Sequence, residues 1–166
     1  MNTLKAEKRS MDVKAKKLRR EGYVTGNLFG REIEGSIPLK FTKKEIEVLL
    51  KNNNKGSQVM LELDGKTYDA LIKEVDYNPL AHTVEEVDFQ ALVSNEMVHS
   101  VAEIILENEE MVVSGVLQDE LKEVAYEALP ADLVDKIKVD VAGMKIGDTL
   151  RVKDLEIAKN KNIHIT

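Results

Sequence analysis

The chain has 166 residues, 43% apolar and 33% charged, and a formal net charge of −6, which bounds it to one large domain or, better, two small ones with modest cores. The absence of cysteine excludes disulfides and thiolate chemistry and agrees with a reducing, cytoplasmic compartment. With only 4% aromatic residues there are few rings for stacking on bases, so any RNA recognition would rest on charge and shape.

In chain order, Thr3 to Lys8 reads as a first strand. Ser10 then caps a helix ending at Gly22, with Met11, Ala15 and Leu18 as its apolar stripe. Eight of the 24 Lys and Arg residues fall between Lys5 and Arg20, against only Glu7 and Asp12. The first twenty residues therefore carry +6 and the remainder −12. Lys14, Lys17 and Arg19 or Arg20 are expected to project away from the stripe. Because salt screens beyond about 10 Å, this local field outweighs the distant negative charge for a polyanion placed beside it.

Gly22, Gly26 and Gly30 bracket GYVTGNLFG, a segment expected to need turns or close backbone approach, with a loop lying beside the basic helix. Ile33 to Phe41 resumes as a strand. Thr42-Lys43-Lys44-Glu45 fits a capping box, and Ile46, Leu49 and Leu50 give the following helix its apolar face. Strands over Gln58 to Leu63 and Lys66 to Val75 flank Asp64-Gly65, a two-residue hairpin signal, and Val84, Val87, Phe89 and Ala91 continue a β pattern.

Farther on, Val98 to Leu106 and Met111 to Val116 read as strands, and Val124, Tyr126 and Ala128 alternate with Glu123, Ala125 and Glu127. A helix is an alternative over Gln118 to Val124. Ile137, Val139 and Val141 alternate again before a turn at Gly143 to Gly147. The fold class is thus mainly β with peripheral helices (α+β). It comprises a small, largely antiparallel N-terminal β-barrel with helices and a β-rich C-terminal domain.

Charge places the boundary. Residues 1–92 hold 16 basic and 15 acidic side chains, whereas residues 93–166 hold 8 and 15. The acidic second domain should avoid RNA phosphate and could face a basic protein. The start MNTLKAEKRS has no apolar run behind its charges, and stretches such as Ile104 to Leu106 fall far short of a membrane span, so neither a signal peptide nor a transmembrane helix is expected.

Catalytic patterns do not emerge. His82, His99 and His164 are scattered without metal spacing, Glu107, Glu109 and Glu110 lack the ligand order of a calcium loop, and no Ser sits in a GxSxG context. No cofactor, metal site or enzymatic activity is expected. The basic helix alone leaves two options, a solvated charged face or a grip on phosphate beside a Gly-rich backbone.

The order of KAEKR, KLRREG, GYVTGNLFG, LDGKTYDALIKEV, EVDFQAL and GVLQDELKEVAYEALPADLVDKIKVDVAGMKIGDTLRVKDL resembles the two-domain form of the bacterial large-subunit ribosomal protein twenty-five family, general stress protein CTC type. The resemblance runs nearly end to end and is most specific in EALPADL…IKVDVAGMKIGDTLRVKDL. It implies a ribonucleoprotein component of the large ribosomal subunit whose N-terminal β-barrel binds 5S ribosomal RNA, a β-rich second domain, and no catalysis. The last matching block ends shortly before Thr166, so a family-type tail is expected to be short or absent.

By the same resemblance the RNA-facing residues are Arg9, Lys14, Arg19 and Arg20, the ring of Phe29 and the carboxylate of Asp88, with Lys17 on the same basic helix. Four positions depart from the family pattern: Thr25 stands for a Pro, Phe29 for a Tyr, Asp76 for a Gln and Glu86 for a His. An ionised carboxylate cannot donate to RNA oxygens and repels phosphate. Two functions therefore remain open on the sequence. One is a 5S ribosomal RNA-binding protein; the other is a stress-related paralogue in which that binding is weak and the protein acts as a protein-interaction module.

Overall fold

Alternation of apolar side chains decides where the first sheet closes. In the computed structural model, which describes residues 3–112, 115, 117 and 121–166, six strands form a closed barrel in the order β1-β3-β2-β6-β5-β4. These are β1 (Thr3–Lys8), β2 (Tyr23–Phe29), β3 (Ser36–Thr42), β4 (Gln58–Leu63), β5 (Lys66–Asn78) and β6 (Thr83–Ala91). Each sends every second side chain inward: Leu4 and Ala6, Val24 and Leu28, Leu39 and Phe41, Val59, Leu61 and Leu63, Ala70 and Ile72, Val87 and Phe89. The rings of Phe41 and Phe89 meet at 5.4 Å and 55° in the centre. Helix α2 (Lys43–Leu50) buries Ile46 and Leu49 against this core. Its Thr42 cap accepts from the Glu45 N–H at 3.3 Å, as the capping pattern predicts.

The expected barrel is present and largely antiparallel, with two parallel seams, β1 with β4 and β2 with β6. A parallel neighbour needs a long crossover, and both seams join strands far apart in sequence. The β2–β6 seam is unusually close: a Cβ on Gly26 would run into the carbonyl oxygen of Val87. The Asp64-Gly65 hairpin forms as expected, with φ of 49° and 79° at its two turn residues.

Two N-terminal expectations are corrected. The basic helix α1 spans only Ala15–Arg20, capped by an extended Lys14 (φ −66°, ψ 141°). Ser10 does not cap it; its Oγ accepts from the Asp12 N–H at 3.3 Å and its carbonyl from Val13 at 3.2 Å, closing a turn. The chain stays on the barrel as far as Arg9, whose N–H donates to Pro38 at 3.0 Å; the turn from Ser10 to Val13 follows, and Met11 is left 68% exposed. The glycine segment is not a loop: residues 23–29 are the strand β2, with Gly22 and Gly30 at its ends and close approach at Gly26.

The second unit is a four-stranded sheet in the order β10-β8-β7-β9, from β7 (Val98–Glu107), β8 (Glu123–Ala128), β9 (Lys136–Asp140) and β10 (His164–Ile165). Ala102, Val124, Tyr126, Ala128, Ile137 and Val139 form its core with Leu155, Ile157 and Ile163, which flank the short helix α3 (Glu156–Lys159) or lie in it. The strand expected over Met111 to Val116 does not form at its start: Met111 closes a 3-10 turn and Val112 lies outside any strand, while Val113, Ser114 and Val116 lie outside the described residues. Of the alternative helix, Gln118 to Glu120 also lie outside them, and Glu123 and Val124 belong to β8. Contacts divide the chain into Met1–Glu96 and Met97–Thr166. Among the described residues no helix is long and apolar enough to cross a membrane.

Candidate nucleic-acid interface

Because Val24, Gly26 and Leu28 point into the barrel, Tyr23, Thr25, Asn27 and Phe29 of β2 point outward. Register then lays two rows across four strands. Lys40, Thr25, Glu86 and Asp76 form one, and Pro38, Asn27, Asp88 and Glu74 the next. The Phe29–Gln90 pair follows at the far end.

A β-bulge supplies the link between this face and the basic helix. Asp76 pairs with Glu86, but Tyr77 pairs with Val84, which leaves Glu85 as the extra residue on β6. Its carbonyl accepts from Arg19 Nε at 3.1 Å and from Thr25 Oγ1 at 3.3 Å. Arg19 Nη2 also donates to Thr25 Oγ1 at 3.1 Å, so the guanidinium is fixed over the sheet and Thr25 is fully buried beneath it. The hydroxyl at this departure position thus has a structural role that a proline could not fill.

Arg9 approaches the same place from the end of β1. One Nη donates to the Val13 carbonyl at 3.5 Å, while its Nε is buried without a partner. Both Arg9 and Arg19 act electrostatically on Glu86, which places two cations around one carboxylate. Lys40 adds a third cation, 3.8 Å from Glu7 and 4.7 Å over the Tyr23 ring.

The carboxylates on this face are not ordinary ones. Burial pushes the Glu86 carboxyl above the usual range, and the charges of Asp88 and Asp76 push it further, against the pull of Arg19 and Arg9. Burial likewise raises Asp88, opposed by the Asn27 amide, which donates to its Oδ1 at 3.2 Å, and assisted by Asp76 and Glu74. Among the described residues no group of three or more His, Asp or Glu is arranged to hold a metal ion.

The structure therefore brings Arg9, Arg19, Thr25, Asp76, Glu86 and Asp88 together. Phe29 shares their face but lies four residues along β2 from Thr25, about 13 Å away. Lys14, Lys17 and Arg20 are exposed along α1, with Lys17 4.0 Å from Glu21. Sequence reasoning missed Lys40, Asn27 and Glu74. For Lys40 the signal was present, since Ser36, Pro38 and Lys40 alternate with Ile37, Leu39 and Phe41.

Fold and site together define a two-unit β protein whose N-terminal barrel carries arginines and carboxylates side by side on one outer face, with a basic helix packed beside β2. Residues 4–89 match the Ribosomal L25p family, and residues 97–166 match the C-terminal domain of ribosomal protein TL5. Relatives named large ribosomal subunit protein bL25 include one from Carboxydothermus hydrogenoformans, 34% identical over 160 residues, covering 91% of this chain and 80% of the relative. Those from Akkermansia muciniphila (31%; 94% and 79%) and Thermoanaerobacter sp. strain X514 (30%; 90% and 75%) are similar. The chain belongs to the ribosomal L25p family, in its two-domain form. That family is one of ribosomal proteins, not a class of enzymes.

Proposed function

We propose that this chain is a component of the large ribosomal subunit, in the cytoplasm, and that its N-terminal domain binds 5S ribosomal RNA. The observation that carries the reading is the fixing of Arg19 by the Glu85 bulge beside Arg9, whose buried Nε lacks a partner. A guanidinium held in one orientation loses little freedom on binding. Arg9 and Arg19 would take phosphate oxygens, with Lys14, Lys17 and Arg20 extending the track along α1. The Asp88 carboxylate, held by Asn27, would accept from sugar hydroxyls or base amino groups, as irregular RNA offers in its wide minor groove. Phe29 would pack at the distal end.

The test is a titration against a 5S ribosomal RNA transcript and an unrelated duplex over a range of salt. Neutralising about four phosphates gives log K against log salt a slope of about −3 to −4. Arg9→Ala and Arg19→Ala should each weaken binding by about tenfold or more, since charge-assisted bonds contribute about 1.5–3 kcal/mol. A flat salt response, or equal affinity for the unrelated duplex, rules the reading out.

A second reading keeps the fold but makes the chain a stress-related protein-interaction module, its acidic C-terminal domain engaging a basic protein. The Asp76–Glu86 pair favours it, because two carboxylates face the place where RNA would lie. Tight binding by the unmodified chain would remove this alternative, whereas binding restored only by Glu86→His, Asp76→Gln and Phe29→Tyr would support it.

A further inference from the structure

The β5–β6 side of the barrel face has the wrong sign for a phosphate backbone, yet it adjoins the two arginines best placed to hold one. Asp76 lies directly opposite Glu86, and Glu74 directly opposite Asp88, so two like-charged cross-strand pairs stand in adjacent rows. Such pairs disfavour the sheet that carries them, and an approaching polyanion adds to the repulsion.

We propose that RNA binding at this face is coupled to proton uptake by Glu86, which faces Asp76 across the β5–β6 ladder, so that the chain grips RNA more tightly as pH falls below neutral. The coupling rests on the RNA-binding reading and names how that same site is regulated.

The surroundings of Glu86 decide how readily it takes the proton. From β5 it meets Asp76, with Glu74 one row away; from β6 itself come Asp88 and Glu85, the latter's carboxylate held by Asn78 Nδ2 at 3.0 Å. From β2 it meets Thr25, next to Asn27, and beyond them on β3 lies Lys40, 3.8 Å from Glu7. From α1 comes Arg19 and from the end of β1 Arg9. Helix α2, which also packs on β6, buries Ile46 and Leu49 and keeps Lys43 3.9 Å from Glu47.

At Glu86 burial and the charges of Asp88 and Asp76 oppose two arginines, and the balance lifts its carboxyl above the ordinary range. A bound phosphate beside it lifts it further. Protonation removes the repulsion and converts an acceptor into an O–H donor, which RNA oxygens can use. By linkage, each proton taken up on binding raises the association constant by at most tenfold per pH unit.

The experiment is a titration of the full chain with a 5S ribosomal RNA transcript at constant ionic strength, between about pH 7.5 and about pH 5.5, repeated with an Asp76→Asn, Glu86→Gln form. The unmodified chain should bind roughly three- to tenfold more tightly at the acid end. The double variant should bind at pH 7.5 with the affinity the unmodified chain reaches only in acid, and should lose most of the response. Circular dichroism confirms its fold; if it does not fold, Glu86→Gln alone should show the same change at reduced size. Binding that is indifferent to pH, or a response undiminished in the variants, overturns the coupling and leaves the RNA reading standing. Absence of binding at every pH overturns both.

Discussion

Tyr126 is fully buried in the second core, yet its hydroxyl is satisfied twice over: it donates to the Val134 carbonyl and accepts from the Val134 N–H, both at 2.7 Å. Burial still raises the phenol above its ordinary range, against the pull of the Val134 N–H, because the anion has no place there. Replacing it with Phe keeps the ring but strands a part-buried N–H and C=O. Tyr126→Phe should therefore cost about 1–3 kcal/mol, read as a lower urea midpoint for the C-terminal signals while the barrel's stay in place. An unchanged midpoint would mean that the backbone of Val134 finds other partners.

Among elements, the seam between β2 and β6 matters most for the site, because it sets Thr25 beside Glu86 and Asn27 beside Asp88. Its closeness depends on Gly26, where an added Cβ would meet the Val87 carbonyl and lie 3.1 Å from the Phe41 ring. Neither backbone nor packed ring yields easily, so Gly26→Ala should destabilise the barrel by about 2 kcal/mol or more and weaken RNA binding with it, even though no contact residue is altered. Urea unfolding followed by RNA titration checks both halves; a stable variant that binds normally would show that the seam can open without moving Arg19. The period-2 patterns of β4, β5 and β6 and the Asp64-Gly65 turn could be read from the sequence because they are local. The start of α1 could not, since Ser10 enters a turn where the Arg9 N–H extends the pairing of β1 with Pro38 on the neighbouring strand β3, a partner far off in sequence. The site was legible as a list of charges but not as an arrangement. Arg19 bonds a carbonyl 66 residues away, at a bulge that no spacing rule marks, and Lys40 and Asn27 enter only through register.

For the whole molecule, each unit has its own core, and the two differ in how acid should act on them. In the barrel, burial is the leading cause of raised carboxyls at Asp69, Glu86 and Asp88. A carboxyl raised in the folded state favours folding when protonated; its contribution is fully present below the unfolded value and is lost as pH rises through the folded one. Lowering pH from neutral toward that window should therefore stabilise the barrel. The second unit has the opposite case in Asp140, held below the ordinary range by the Ala142 N–H and the Asn108 amide, so its contribution persists above the unfolded value and falls away only in stronger acid. Residue-resolved NMR during urea unfolding, at about pH 7 and about pH 5.5, should show the barrel's midpoint rising while that of residues 97–166 does not follow. A barrel midpoint that falls with pH would mean that Arg9 and Arg19 outweigh burial around Glu86. The proton uptake proposed for RNA binding would then have no carboxyl poised to supply it.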